Sequence, residues 1–132
     1  MQIVSHPIGS PLWEFCDAWL LTSVGQFGRR GCSLSELIGR ADALNHDVPN
    51  EAAASSSLGT LVSSGLIAVH AGRHRITRSG RAVYRQRKGG VFELAPSVLR
   101  ALGAVTRVEG RLTFRPGEFQ AAYEEYARKA RP

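Results

Sequence analysis

A chain of 132 residues is the size of one ordinary domain, long enough to bury about two-thirds of its unfolded surface without a disulfide or metal. With 43% hydrophobic and 21% charged residues it falls outside the disordered classes, and Arg, Glu, Ser or Gly interrupts every apolar run short of a membrane span. The formal charge of +6 directs attention to anionic partners.

The first predicted helix follows Pro11. Leu12, Phe15, Cys16, Trp19, Leu20, Ser23, Val24 and Phe27 recur at helical spacing and make one wide apolar stripe. Pro11 suits the first helical position, with Ser10 as its cap, and the helix should end near Gly25, leaving "GQFGRRG" as a loop. A second helix begins at Ser33, where "SLSE" is a capping box, and Leu34, Leu37, Ile38 and Ala41 form its inward stripe. "DALNHDVPN" then breaks the pattern through turn-forming Asp and Asn and through Val48 ahead of Pro49.

Asn50 caps a third helix in which Ala54, Leu58, Leu61 and Val62 are expected to face the core. Gly65 closes it in a left-handed conformation. "LIAVHA" and "HRIT" flank Gly72-Arg73 as a hairpin, and "RSGRAVYRQRK" forms a further helix that stops at Gly89-Gly90. Beyond it, "APSVLRALG" is predicted as a short helix opened by Pro96. "VTRVEGRLTF" alternates around Glu109-Gly110 as a second hairpin. "PGEFQAAYEEYARKA" makes a terminal amphipathic helix with Phe119, Ala122, Tyr123, Tyr126 and Ala130 on one side.

The fold class expected is mainly α (α+β). Three helices, a β-hairpin and another helix are the layout of a winged helix-turn-helix. On "SLSELI", "LGTLVSSGLI" and "HRITRSGRAVY" the chain resembles the MarR-like and PadR-like bacterial regulators over about residues 10–88. "LIGRADALNHDVPNEAAASSSLGTLVSSGLI" is also similar to a group of uncharacterised bacterial winged-helix proteins with an Asp-Ala-x-Asn-His turn. That second resemblance implies the fold and no activity. Residues 1–88 are therefore expected to form the winged helix-turn-helix domain, and 89–132 a C-terminal extension. The regulator resemblance also implies a two-fold homodimer pairing through terminal helices, with Trp13, Trp19, Tyr123 and Tyr126 as the aromatic surface. The alternative is a last helix packed on the first within one chain.

The location of the charge sharpens the functional expectation. Residues 1–72 carry a net −3, residues 73–88 a net +7 with no acidic residue, and residues 89–132 a net +2. Phosphate contacts supply affinity and position on DNA, while base-edge contacts supply sequence choice. The anchoring role suits "RHRITRSGRAVYRQRK": Arg73 and His74 are expected at the hairpin tip, Arg75 and Arg78 beside the second strand, and Arg81 and Arg85 on one helical face. The reading role falls to Asn50, Glu51, Ser55, Ser56, Gly59 and Ser63 on the third helix. From Ala41 to Gly72 there is no Lys or Arg, so readout should be weak. The expectation is a small double-stranded-DNA-binding transcriptional regulator. The alternative is a protein-interaction module in which a Ser, Ala and Gly face admits another helix.

No phosphate-cradling glycine loop, nucleophile elbow or paired carboxylates point to an enzyme, and no motif names a cofactor or an effector ligand. His70 and His74 lie on opposite arms of a turn, and Asp42 with His46 is only a pair, so no metal site is expected. His46 should bond the turn before the third helix. Cys16 and Cys32 belong to no ligand or redox motif and read as reduced structural thiols. "MQIVSHPIGSPLWEF" has neither a basic nor an uninterrupted apolar region of a signal peptide, so a cytoplasmic location away from membranes is expected.

Overall fold

The computed structural model describes residues 12–130. The chain is mainly helical with a small antiparallel sheet: α1 (Phe15–Gly25), α2 (Leu34–Asn45), α3 (Glu51–Ser63), β1 (Ile67–His70), β2 (Arg73–Ile76), α4 (Arg78–Tyr84), α5 (Leu94–Leu102) and α6 (Glu118–Ala130). No helix among the described residues is long and apolar enough to cross a membrane.

Local chemistry accounts for most boundaries. The Ser33 hydroxyl accepts from the Glu36 amide at 3.1 Å while the Glu36 carboxylate accepts from the Ser33 amide at 2.9 Å, the reciprocal capping pattern expected. Asn50 caps α3 by accepting from the Ala53 amide at 2.7 Å. At the other end Gly65, at φ +78°, lets the Leu66 amide return to the Leu61 carbonyl and its own amide reach Val62, which together close the helix. The start of α1 differs from expectation. The helix begins at Phe15 behind Glu14, so Leu12 and Trp13 precede it, and the Ser10–Pro11 start lies outside the described residues.

The core is organised around α1, on which α2, α3, α4, α5 and β2 all pack. Instead of one stripe, every residue from Asp17 to Gly25 is buried. Leu20, Leu21 and Val24 are fully enclosed, each such burial being worth about 1.5–3 kcal/mol. Tyr84 of α4 lies so close to Gly25 that a Cβ there would sit 2.6 Å from the ring. Trp19 donates its indole N–H to the Ala41 carbonyl at 2.9 Å. Val62, expected inward, is 38% exposed, whereas Ala54, Leu58 and Leu61 are buried in the core as expected.

The extension departs most from expectation. Residues 106–115 form no hairpin and pair with no strand; they run as a single extended strap along α3. The terminal helix α6 packs on α2 and not on α1. Phe119 is buried at its start. The Tyr126 ring lies against Gly39, and its hydroxyl donates to Asp42. Tyr123 and Ala130, expected inward, face outward.

The strap is fixed to α1 by charge. Asp17 is fully buried, and its Oδ2 accepts from the Glu14 amide at 2.9 Å and from Arg107 Nε at 3.0 Å. The Arg107 side chain is 4% exposed, with Glu109 at 3.6 Å, Glu14 at 4.0 Å and the Trp13 ring 5.7 Å from its Cζ. Trp13 completes the junction by donating to the Val105 carbonyl at 2.8 Å. Removing one partner from a buried pair leaves an uncompensated charge. Arg107→Ala should therefore lower the unfolding free energy by about 3–5 kcal/mol in urea titrations, and the double variant Asp17→Leu/Arg107→Leu should lose markedly less.

Candidate nucleic-acid interface

The hairpin turns through Ala71 (φ 51°) and Gly72 (φ 76°), two successive left-handed residues that match the twist of the strands they join. Ile67 pairs with Ile76, Ala68 with Arg75, Val69 with His74 and His70 with Arg73. Because side chains alternate along a strand, β2 sends His74 and Ile76 inward and Arg75 outward. His74 is therefore not a tip residue as expected. It is 2% exposed, its backbone bonds Cys32 in both directions, and its Nδ1 lies 3.2 Å from the Cys32 carbonyl oxygen. The histidine joins the hairpin to the segment before α2 and offers nothing to a phosphate.

The arginines divide by accessibility. Arg75, Arg78, Arg85, Arg87 and Lys88 are exposed, while Arg73 and Arg81 are half-buried. Arg73 donates to the Arg30 carbonyl at 3.2 Å and Arg81 reaches that of Ile76 at 3.5 Å. Arg87 lies 4.0 Å over the Tyr84 ring. Among the described residues none of the seven cations from Arg73 to Lys88 forms an ion pair, whereas Arg30, Arg107, Arg115 and Lys129 all do. Thr77 sets the base of this patch. Its hydroxyl accepts from the Gly80 amide at 3.0 Å and donates to the Gly65 carbonyl at 2.6 Å, holding the start of α4 against the end of α3.

On α3, Asn50 and Glu51 are exposed and Ser56 is half-buried. Ser55 is 8% exposed, so its expected place at a base edge is corrected: its hydroxyl donates to the Leu112 carbonyl at 2.7 Å, and its own carbonyl accepts from the Leu112 amide at 2.9 Å. Gly59 lies beneath the Arg111 backbone with no room for a Cβ, and Gly110 meets Ser63 and Gly59 in the same way. The Val108 amide donates to Ser64 Oγ at 2.9 Å, and the Gly110 amide to Thr60 Oγ1 at 3.3 Å. The small neutral face of α3 is the seat of the strap. Outward from it stand Arg111, Thr113 and Arg115, with Leu112 and Phe114 turned in. These three residues were absent from the sequence-based site. The paired glycines 59 and 110, each fitted for close backbone approach, are the signal that pointed to them.

The remaining polar groups do not converge on a reaction centre. His46 caps α2 in a left-handed conformation and rests against Phe92 at 5.1 Å between ring centroids, so it packs on a later turn instead of bonding the one before α3. Its partner in the Asp42/His46 pair accepts from Tyr126. Both cysteines are free thiols; burial raises that of Cys16 and pushes Cys32 up to about 12, which suppresses the reactive thiolate.

Comparison with known proteins adds no relative: no family model, curated protein or solved structure matches the chain.

Burial lowers the His74 pKa from its ordinary value of 6.5, only partly offset by the Cys32 carbonyl. The unfolded chain then binds the proton more tightly than the folded one. Stability from this group is complete above about pH 6.5 and falls as the pH drops toward the depressed folded value. Urea unfolding at pH 7.5 and 5.5 should show that loss, and His74→Gln should flatten it.

Proposed function

We propose that this chain is a winged-helix protein that binds double-stranded DNA as a small regulator. The observation that carries the reading is the cluster of seven cations between Arg73 and Lys88, none of them ion-paired among the described residues. A solvated charged face usually interleaves both signs; a patch of one sign with no carboxylate paired to it, in which Arg75, Arg78, Arg85 and Lys88 are exposed, suits a polyanion. The order of α1, α2, α3, hairpin and α4 supports the winged-helix assignment, with the hairpin as wing. Base readout by α3 narrows to Asn50, Glu51 and Ser56, so affinity comes from the anchor and sequence preference is modest.

The protein-module alternative drew on an open small-residue face, and that face is occupied by the chain's own strap. Three of the four aromatic residues that suggested pairing of copies, Trp13, Trp19 and Tyr126, are engaged within the chain. The proposal is accordingly framed for one copy on DNA.

If Arg75, Arg78, Arg85 and Lys88 each neutralise one phosphate, log K against log salt should fall with a slope of about −3.6. Fluorescence anisotropy on a random duplex should give that slope, and Arg75→Ala/Arg78→Ala should reduce its magnitude by about 1.8. Arg128→Ala, on α6, should leave it unchanged. Absence of binding at low salt, or an identical slope in the double variant, would refute the proposal.

A further inference from the structure

We infer that the surface this protein turns to DNA over α3 is the outer edge of the strap, with Arg111 as its contact residue, and not α3 itself. The inference rests on the DNA-binding reading above and moves its contact over α3 from Asn50, Glu51 and Ser56 to the strap. The bonds from Ser55, Thr60 and Ser64, together with the paired glycines 59 and 110, make α3 a floor cut to the shape of an extended chain. The strap begins at Arg107, whose guanidinium is the counter-ion of buried Asp17. Lifting it would strand that carboxylate, so the docked strap is the resting surface.

What the strap presents is what α3 lacks. Between Ala41 and Gly72 no residue is cationic, yet Arg111 lies exposed with its backbone over Gly59. It borders an open cleft shared with Glu51, Ala52, Ser55, Thr113 and Phe114. Arg115 is partly neutralised by Glu118 at 3.7 Å; Arg111 has no ion pair among the described residues. The position relative to the anchor is also constrained. The strap is fastened to Ser64, and the neighbouring Gly65 carbonyl holds Thr77 at the head of α4. Arg78 and the strap therefore leave from one turn, and Arg111 follows Val108 by roughly 10 Å of extended chain. Strand edges with outward side chains are established readers of duplex grooves, and an arginine is the commonest base-edge donor.

The test is duplex binding by the full chain at fixed low salt, comparing wild type with Arg111→Ala, Gly59→Leu and Arg75→Ala/Arg78→Ala, each checked by circular dichroism. Arg111→Ala should bind about tenfold more weakly. Gly59→Leu, which leaves no room for the strap, should weaken binding at least as much. If Arg111→Ala binds like wild type while the Arg75/Arg78 variant weakens, the inference fails and the DNA-binding reading stands. If Gly59→Leu binds more tightly, the strap is a cover over α3 and the inference also fails. If no variant changes binding, the underlying reading fails with it. Arg111 packs on Gly59 through its backbone alone and its side chain is exposed, so Arg111→Ala decides the matter even where Gly59→Leu does not fold.

Discussion

Asp17 sits in the first turn of the most enclosed helix in the molecule, and its guanidinium partner arrives from ninety positions further along the chain. A carboxylate buried at such a place demands a counter-charge and hydrogen bonds, because the protein interior gives back little of the solvation lost. The Glu14 amide and Arg107 provide them. With Arg107 fixed, residue 108 must start beside the C-terminal turn of α3, and the extended course of 108–115 follows from there. The bonds to Ser64, Thr60 and Ser55 then carry the strap along the Ser and Gly face of α3. One ion pair thus decides which surface the third helix shows to solvent.

The same logic explains why α1 is enclosed on all sides. Its apolar residues leave no solvent stripe, so neighbours must cover it from every direction, and α5 and the strap complete what α2, α3 and α4 begin. The extension beyond residue 88 is therefore part of the fold's interior. Its Ala95, Val98, Leu102 and Phe119 belong to the same hydrophobic core as the helices before residue 88.

Features governed by near neighbours were legible in the sequence. Ser33 with Glu36, Asn50 before its helix, Gly65 after it, and Gly72 in the hairpin each act through bonds to residues a few positions away. Features governed by distant partners were not. The alternation of "VTRVEGRLTF" is compatible with an extended chain against any partner, and nothing local says that the partner is a helix. Val62 has the spacing of a core residue, but the width of the buried sector on α3 depends on what covers it. His74 stands in a run of arginines, and only the pairing of β2 with Cys32 turns it inward. For α6, the amphipathic pattern specified a buried face, while the hydroxyl of Tyr126 and the bare backbone at Gly39 determined which helix would receive it. Of the candidate site, the run of arginines on the hairpin and α4 was legible as a concentration of charge, and the small neutral composition of α3 was legible beside it. That its small residues serve a backbone contact was the missing half.

The span between Asp17 and Arg107 also sets an order of events during synthesis. The chain emerges from its amino end, so α1 leaves the ribosome before residue 107 does. Until Arg107 follows, closing the helices over α1 would seal a negative charge in an apolar interior without its partner. The nascent chain therefore keeps the first turn of α1 hydrated until residue 107 has emerged, and final consolidation waits for the strap.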